Sequence, residues 1–377
     1  NFDELRASIP AMSVMTYLNS GWAGPSSQAV VERMREAALA ESAGGPAGPV
    51  GQAYAMAIEA EAKAGAASML GVNADDVMLT HGTTEGANIV LHGMEFEPGD
   101  VLLTSDLEHP GIRTPSAVLA QRRGVDVRTI SIPPDADAKQ CVDAVTAALT
   151  PDVKLVALSH IMFTCGLKLP ANEIVRAVHD AGAMVLLDGA QTAGHVQLDL
   201  KALDVDFYAS SGQKWLMGPT GCGALYVRPD RKELLTPVFN GEGLDHRAGD
   251  LLYQLASQGV VAQAGYAEAI RIYNELGPAS VQAHNDVLAT RLRAELASVE
   301  GISINGPADG PTCSAITAIS LGGRNPQAFV EALWEHHRVV ARYVASPPGV
   351  RFCTAACNNE NDVDVAIEAV RDQIAAG

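Results

Sequence analysis

With 377 residues, 47% of them hydrophobic and 19% charged, the chain is long enough for a large domain and a smaller one around a sizeable core. A formal net charge of −18 argues against nucleic acid and anionic membrane as partners. The absence of any apolar run near the ~18 residues of a membrane span, and of zinc-site spacing among the six cysteines, argues against a membrane anchor and a metal centre. The segment NFDELRASIP is acidic and carries no signal-peptide core, so the expected compartment is the cytoplasm, with free thiols.

Residues 1–25 read as an arm that ends in YLNSGWAGPSS. Trp22, between Gly21 and Gly24, suits a substrate-facing wall and a packing position at a turn equally well. Two Ala-rich helices are expected over about 27–42 and 53–70, broken by the Gly/Pro loop AGGPAGPVG. A short strand at 77–80 then enters Gly82-Thr83-Thr84 and continues as a helix. A helix start built from small residues offers free N–H groups and a positive dipole end, a natural seat for phosphate. The strand DVLLTSD leads next to Leu107-Glu108-His109-Pro110-Gly111, where the plain reading of His109 is helix entry before a proline. Strand, helix and strand signals over 125–132, 136–149 and 153–160 continue the alternation and argue for a mostly parallel sheet. The turn SHIMFTCG, which holds Thr164, and a helix over 171–182 come next.

The chain is organised around the stretch 184–228. The apolar run MVLL ends in Asp188, where a buried parallel strand would emerge. A second strand, 206–210, runs into Ser211-Gly212-Gln213-Lys214-Trp215, and a third, 223–228, comes after a Gly-Pro-Thr-Gly turn. An acid and a lysine thus sit at strand ends, where open α/β sheets place their ligands. Pyridoxal phosphate needs that pair: an amine for the Schiff base and a carboxylate to keep the pyridine nitrogen protonated. From about 259 the pattern becomes an α+β small domain, so the expected division is an arm (1–25), a large cofactor-binding domain (26–258) and a small domain (259–377).

D-G-A-Q, S-G-Q-K-W and G-P-T-G, in that order, resemble the class V aminotransferase family of fold type I pyridoxal-phosphate enzymes. The resemblance covers nearly the whole chain. It implies an α/β large domain with a mostly parallel, seven-stranded type of sheet, a small α+β domain, an amino-acid substrate and no metal. By resemblance Lys214 is the Schiff-base lysine, Asp188 the pyridinium partner and Gln191 a donor to the cofactor's phenolic oxygen. Gly82, Thr83, Thr84 and Ser211 fall on phosphate-binding positions, and His109 of E-H-P-G falls where a ring stacks on the pyridine and moves protons. Asn19 lies in the segment that crosses the mouth of the site, and Arg351 of V-R-F-C is the clamp for the substrate carboxylate. Ser257 matches the residue that completes a neighbouring protomer's phosphate site, which implies a homodimer with shared active sites. Two positions depart from the pattern. Thr164 stands where many relatives carry Asn, and Gln213 stands where they carry His; an amide donates a hydrogen bond but carries no charge.

Members of the family differ in the step taken after the α-proton is lost. A desulfurase needs a mobile cysteine, usually between the strands at 339 and 350, and ARYVASPPGVRF has none there. The expected reaction is therefore β-elimination from cystine or another S-substituted cysteine, giving pyruvate, ammonia and a thiol or persulfide. Epimerisation of the isopenicillin N type and transamination are the enzymatic alternatives, and a non-catalytic scaffold on the same fold is the alternative from another class.

Overall fold

The computed structural model describes residues 1–238 and 259–376. The arm contains helix α1 (Phe2–Ala7) and a two-residue strand β1 (Thr16–Tyr17). Helix α2 (Gln28–Gly44) starts under a Ser27 cap, and α3 (Pro49–Leu70) starts on a proline already lacking the N–H that a first turn leaves unpaired. The alternation then begins: β2 (Val77–Thr80), α4 (Thr83–Gly93), β3 (Val101–Ser105), α5 (Pro110–Arg123), β4 (Asp126–Ile130) and α6 (Ala138–Ala148). It continues through β5 (Val153–Ser159), α7 (Ala171–Asp180), β6 (Met184–Gly189), the single turn α8 (Leu200–Leu203), β7 (Phe207–Ser211) and β8 (Gly223–Val227).

These strands form one seven-stranded sheet in the order β2-β8-β7-β6-β5-β3-β4. Pairings from β7 to β4 are parallel, while β8 runs antiparallel to both of its neighbours. The fold is the α/β class expected. Strands β2, β3, β7 and β8 are buried along their whole length, as a sheet covered on both faces requires. The edge strand β4 is half-exposed and charged: Arg128 on it pairs with Asp126 and Asp152, which blunts an otherwise open edge. β3, β5, β6 and β7 end at Ser105, Ser159, Gly189 and Ser211, so one edge of the sheet gathers the strand ends that carry the site.

Helices α9 (Val260–Leu276) and α10 (Pro278–Ala297) come next, then β9 (Ser303–Ile304), β10 (Ile316–Ser320), α11 (Pro326–His337) and β11 (Val339–Val340). The chain closes with β12 (Arg342–Ala345), β13 (Pro348–Cys353) and α12 (Glu360–Ala375). β12-β13-β10-β9 make an antiparallel sheet whose core of Leu288, Leu292, Phe329, Leu333, Phe352 and Val363 is separate from the large-domain core. Two sets of contacts cross the expected divisions of the chain. Helix α9, placed in the small domain by the pattern, buries Val260 and Ala264 against Ala37 and Ile58 of α2 and α3. The arm packs on the C-terminal part of the chain: β1 pairs in parallel with β11, and the Arg6 guanidinium grips the Asp362 carboxylate of α12 with both terminal nitrogens, at 2.5 and 3.0 Å. No helix among the described residues is long and apolar enough to cross a membrane.

Candidate active site

A cleft of about 470 Å³ opens above those strand ends, between the large sheet, the arm and the small domain. At one end is the start of α4. Gly82 precedes it at φ 149°, a left-handed-side conformation that glycine alone takes freely, and no side chain caps the helix. Gly82, Thr83 and Thr84 of this first turn line the cleft, and a first turn leaves N–H groups without partners inside the helix. Ser211, from the end of β7, bonds the Thr83 hydroxyl and accepts from the Thr83 N–H at 3.3 Å, so the sheet end and the helix start are joined. Glu85 folds back to accept from the His81 N–H at 2.6 Å, the reach of a first-turn acid toward the chain ahead of its helix. The Gln213 side chain lines the same end, and its Oε1 is buried with no hydrogen-bond partner.

At the centre, Asp188 emerges from β6 and is 5% exposed, its Oδ1 accepting from the Ala190 N–H at 2.8 Å. Burial raises its pKa, and the nearby Lys214 opposes that rise. Lys214 itself is held down at about 8, by burial first, with Asp188 working the other way and Arg351 and Arg342 adding repulsion. Gln191 is fixed at both ends: its Nε2 donates to the Gly21 carbonyl and its Oε1 accepts from the Trp215 indole, each at 2.9 Å. Those partners define the amide orientation and leave one of its two N–H hydrogens for a ligand. Trp215 in turn stacks on His195 at 3.7 Å, and His195 Nε2 accepts from the Ala315 N–H of the small domain.

His109 caps α5, with Nδ1 accepting from the Gly111 N–H at 3.0 Å. Burial, then the positive charge of Lys214, lowers its pKa to about 4, so the ring is neutral with its hydrogen on Nε2. Phe163 meets it edge-on at 5.0 Å. The turn after β5 thus presents Phe163 to the cleft. Thr164, expected there, is 5% exposed beside Phe163 and outside the cleft lining, with its Oγ1 buried and without a hydrogen-bond partner.

The small domain contributes two guanidinium groups. Arg351, 1% exposed, donates to the Phe163 carbonyl at 2.7 Å and to Asn19 Oδ1 at 3.1 Å, while its Nε has no partner. Arg342 lies directly opposite it across the β12–β13 pair and covers the Trp22 ring at 4.6 Å. No carboxylate among the described residues pairs with either group. The sequence reading missed Arg342, Phe163 and Thr220 of the Gly-Pro-Thr-Gly turn, all of which line the cleft. Arg342 becomes visible only through the pairing of its strand with the one that carries Arg351. Asn19 lies behind the wall as a support for Arg351, Trp22 is 61% exposed at the mouth, and Ser257 falls outside the described residues.

The donor set fits pyridoxal phosphate group by group. A helix start with Thr83, Thr84 and Ser211 suits the phosphate, an acid at a strand end suits the ring nitrogen, and a partly neutral lysine suits the aldehyde. The unpartnered Gln213 Oε1 and Arg351 Nε are polar atoms that the protein itself leaves unmatched. The space is kept open by Gly21, where an added Cβ would lie 2.8 Å from Cys353 Sγ and 2.9 Å from Gln191 Oε1.

The family model described as Aminotransferase class-V matches residues 16–364. A cysteine desulfurase of Dickeya dadantii is 31% identical over 326 residues, 81% of this chain and 78% of its own. An isopenicillin N epimerase of Streptomyces clavuligerus is 30% identical over 331 residues, 82% of this chain and 83% of its own. The structure of the cystine C–S lyase C-DES with its product cysteine persulfide superposes with a TM-score of 0.91 over 97% of this chain and 99% of that one, at 24% identity, a likeness of fold.

Proposed function

The chain belongs to the class V aminotransferase family and takes pyridoxal phosphate as its cofactor, and we propose that it is a carbon–sulfur lyase. Its substrate is cystine or another S-substituted cysteine, split by β-elimination to pyruvate, ammonia and a thiol or persulfide. The observation that carries this reading is the β12–β13 hairpin. Ala345 faces Pro348, so only Ser346 and Pro347 make the turn. There is no loop there to carry a cysteine to the substrate, and no cysteine is among the described residues lining the cleft. Cys353, on β13, is fully buried and its thiol is pushed up by that burial, the reverse of an activated nucleophile.

Lys214, Asp188, Gln191, Thr83, Thr84, Ser211, Gln213 and Gly82 hold the cofactor, which when bound supplies an electron sink for the substrate's α-carbon. Arg351 takes the α-carboxylate, and Asn19 and the Phe163 carbonyl hold that guanidinium in place. The half-buried Arg342 adds a second positive charge at the same wall. Lys214 Nζ receives the α-proton. The Cβ–S bond then breaks with its electron pair on sulfur, and the Nε2–H of neutral His109 gives that sulfur a proton. The three-carbon remainder hydrolyses to pyruvate and ammonia. Trp22 closes the mouth, Ser257 completes the partner's phosphate site in a homodimer, and the protein works in the cytoplasm.

The test is pyruvate release from L-cystine and from S-alkylcysteines by the holoenzyme, with Lys214→Ala as the control. Pyruvate that depends on Lys214 is expected. Deuterium exchange with inversion at the α-carbon and no pyruvate would replace the lyase reading by an epimerase. Conversion of the bound cofactor to its amine form would replace it by a transaminase.

A further inference from the structure

One buried ionisable group beside the site takes no part in the proposed elimination. Glu108 is 2% exposed and its carboxyl is gathered between two strand ends. Ser105, the last residue of β3, donates its hydroxyl to Oε1 at 2.7 Å. Ser159, the last residue of β5, donates its hydroxyl to Oε2 at 2.6 Å and its N–H to both oxygens, at 2.9 and 3.0 Å. All these donors are neutral, although a buried carboxyl without a cation is costly. The pKa of Glu108 is accordingly raised to about 7, by burial first, with Asp188 adding to the rise. Ser159 is the register partner of Asp188 across β5 and β6, which places this carboxyl one strand away from the ring-nitrogen acid.

The next residue is His109. Between Ser105 and His109 the chain makes a short turn in which the Leu107 N–H also returns to the Ser105 hydroxyl at 3.3 Å. The direction of the His109 ring is set by that turn and by the Gly111 N–H on its Nδ1. An apolar residue at 108 would fill the same space without orienting the turn, because it would accept from neither of the strand ends that the two carboxyl oxygens hold. We propose that Glu108 is a positioning residue, its carboxyl tied to the ends of β3 and β5 so that His109 stands at a fixed angle to the cofactor ring. This rests on the placement of His109 beside the ring.

Visible circular dichroism of the bound cofactor tests it. The cofactor is achiral, so its ellipticity reports the asymmetry of the groups around the ring and not the stability of the fold. Glu108→Gln keeps the volume but turns an N–H₂ group toward donors, so at least one of the four contacts is lost. The holoenzyme variant is expected to retain its cofactor and to lose the wild-type ellipticity of the cofactor band. Wild-type ellipticity in Glu108→Gln, with or without a lower melting temperature, would overturn the proposal and leave Glu108 a structural residue. Should Glu108→Gln not fold, Ser105→Ala removes a single donor and must reduce the same band; an unchanged band there overturns the proposal equally. His109→Ala separates the two levels. An unchanged band in His109→Ala overturns the placement of His109, whereas a changed band there with an unchanged one in Glu108→Gln overturns the role of Glu108 alone.

Discussion

Lys214 and His109 are tuned by the same means, burial with positive charges nearby, toward their neutral forms, one to serve as a base and the other as a proton donor. For the lysine this lowers the cost of the neutral amine: with its pKa at about 8, the reactive form is half-populated at that pH instead of at the ordinary lysine value of 10.5. Covalent capture of added cofactor by the apoprotein should therefore rise about tenfold per pH unit below 8 and level off above it. Stopped-flow absorbance between pH 5.5 and 9.5 measures this, and a midpoint near that of a free lysine would refute the assigned environment. For the histidine the lowered pKa, about 4, keeps the ring neutral, so no change in its charge is expected anywhere between pH 6 and 9. His109→Phe keeps a flat ring and removes the proton donor. Its kcat for pyruvate release from L-cystine should fall roughly 10²- to 10⁴-fold while cofactor content stays near wild type. A kcat within about threefold of wild type would assign His109 to stacking only.

At the scale of elements, the site depends on a small-domain edge and on an arm bonded to it. β1 lies on β11, the Leu18 carbonyl takes the Cys353 N–H at 2.8 Å, and Asn19 then reaches Arg351. The arm is anchored at its far end by Arg6, which is 20% exposed at the side chain, on Asp362, which is 1% exposed. Removing the cation leaves a buried carboxylate with only Asn358 and the Asn359 N–H as donors. Arg6→Ala should destabilise the chain by about 1.5–3 kcal/mol and raise the KM for the amino acid more than it lowers kcat. Urea unfolding and steady-state kinetics give the two readouts, and an unchanged KM would uncouple the arm from Arg351. A comparable anchor lies at the opposite edge of the large sheet, where the fully buried Asp206 collects Arg228, Arg231, His179 and the Val185 N–H. Asp206→Ala leaves the buried Val185 N–H without its acceptor, while Arg228 and Arg231 keep Asp204 and Asp230, and should cost about 1–3 kcal/mol in the same assay.

At the scale of the whole molecule, the proposed homodimer makes a prediction that one chain alone cannot satisfy. If Ser257 serves the neighbour's phosphate, a mixed dimer of Ser257→Ala and Lys214→Ala protomers holds one intact site, with Lys214 from the first and Ser257 from the second. Mixing the two weakly active variants should restore roughly half of the wild-type activity per mixed dimer. No recovery after subunit exchange, checked by sedimentation, would place Ser257 in its own protomer's site or outside any site.

The alternation of strand and helix and the cofactor were legible in the linear chain. Asp188, Lys214, Gly82 and His109 could be found there because each is tied to a local signal: the end of an apolar run, a glycine turn, a proline after a histidine. Such signals depend on neighbours in the chain. The remaining features depend on neighbours in space and came only with the packed molecule. Arg342 enters the site through its register with Arg351, Phe163 meets the His109 ring edge-on, and α9 joins α2 and α3 through contacts far apart in sequence. The Glu108 carboxyl, which reads as half of an E-H pair, takes its meaning from Ser159, a residue 51 positions away that comes beside it only when β5 enters the sheet.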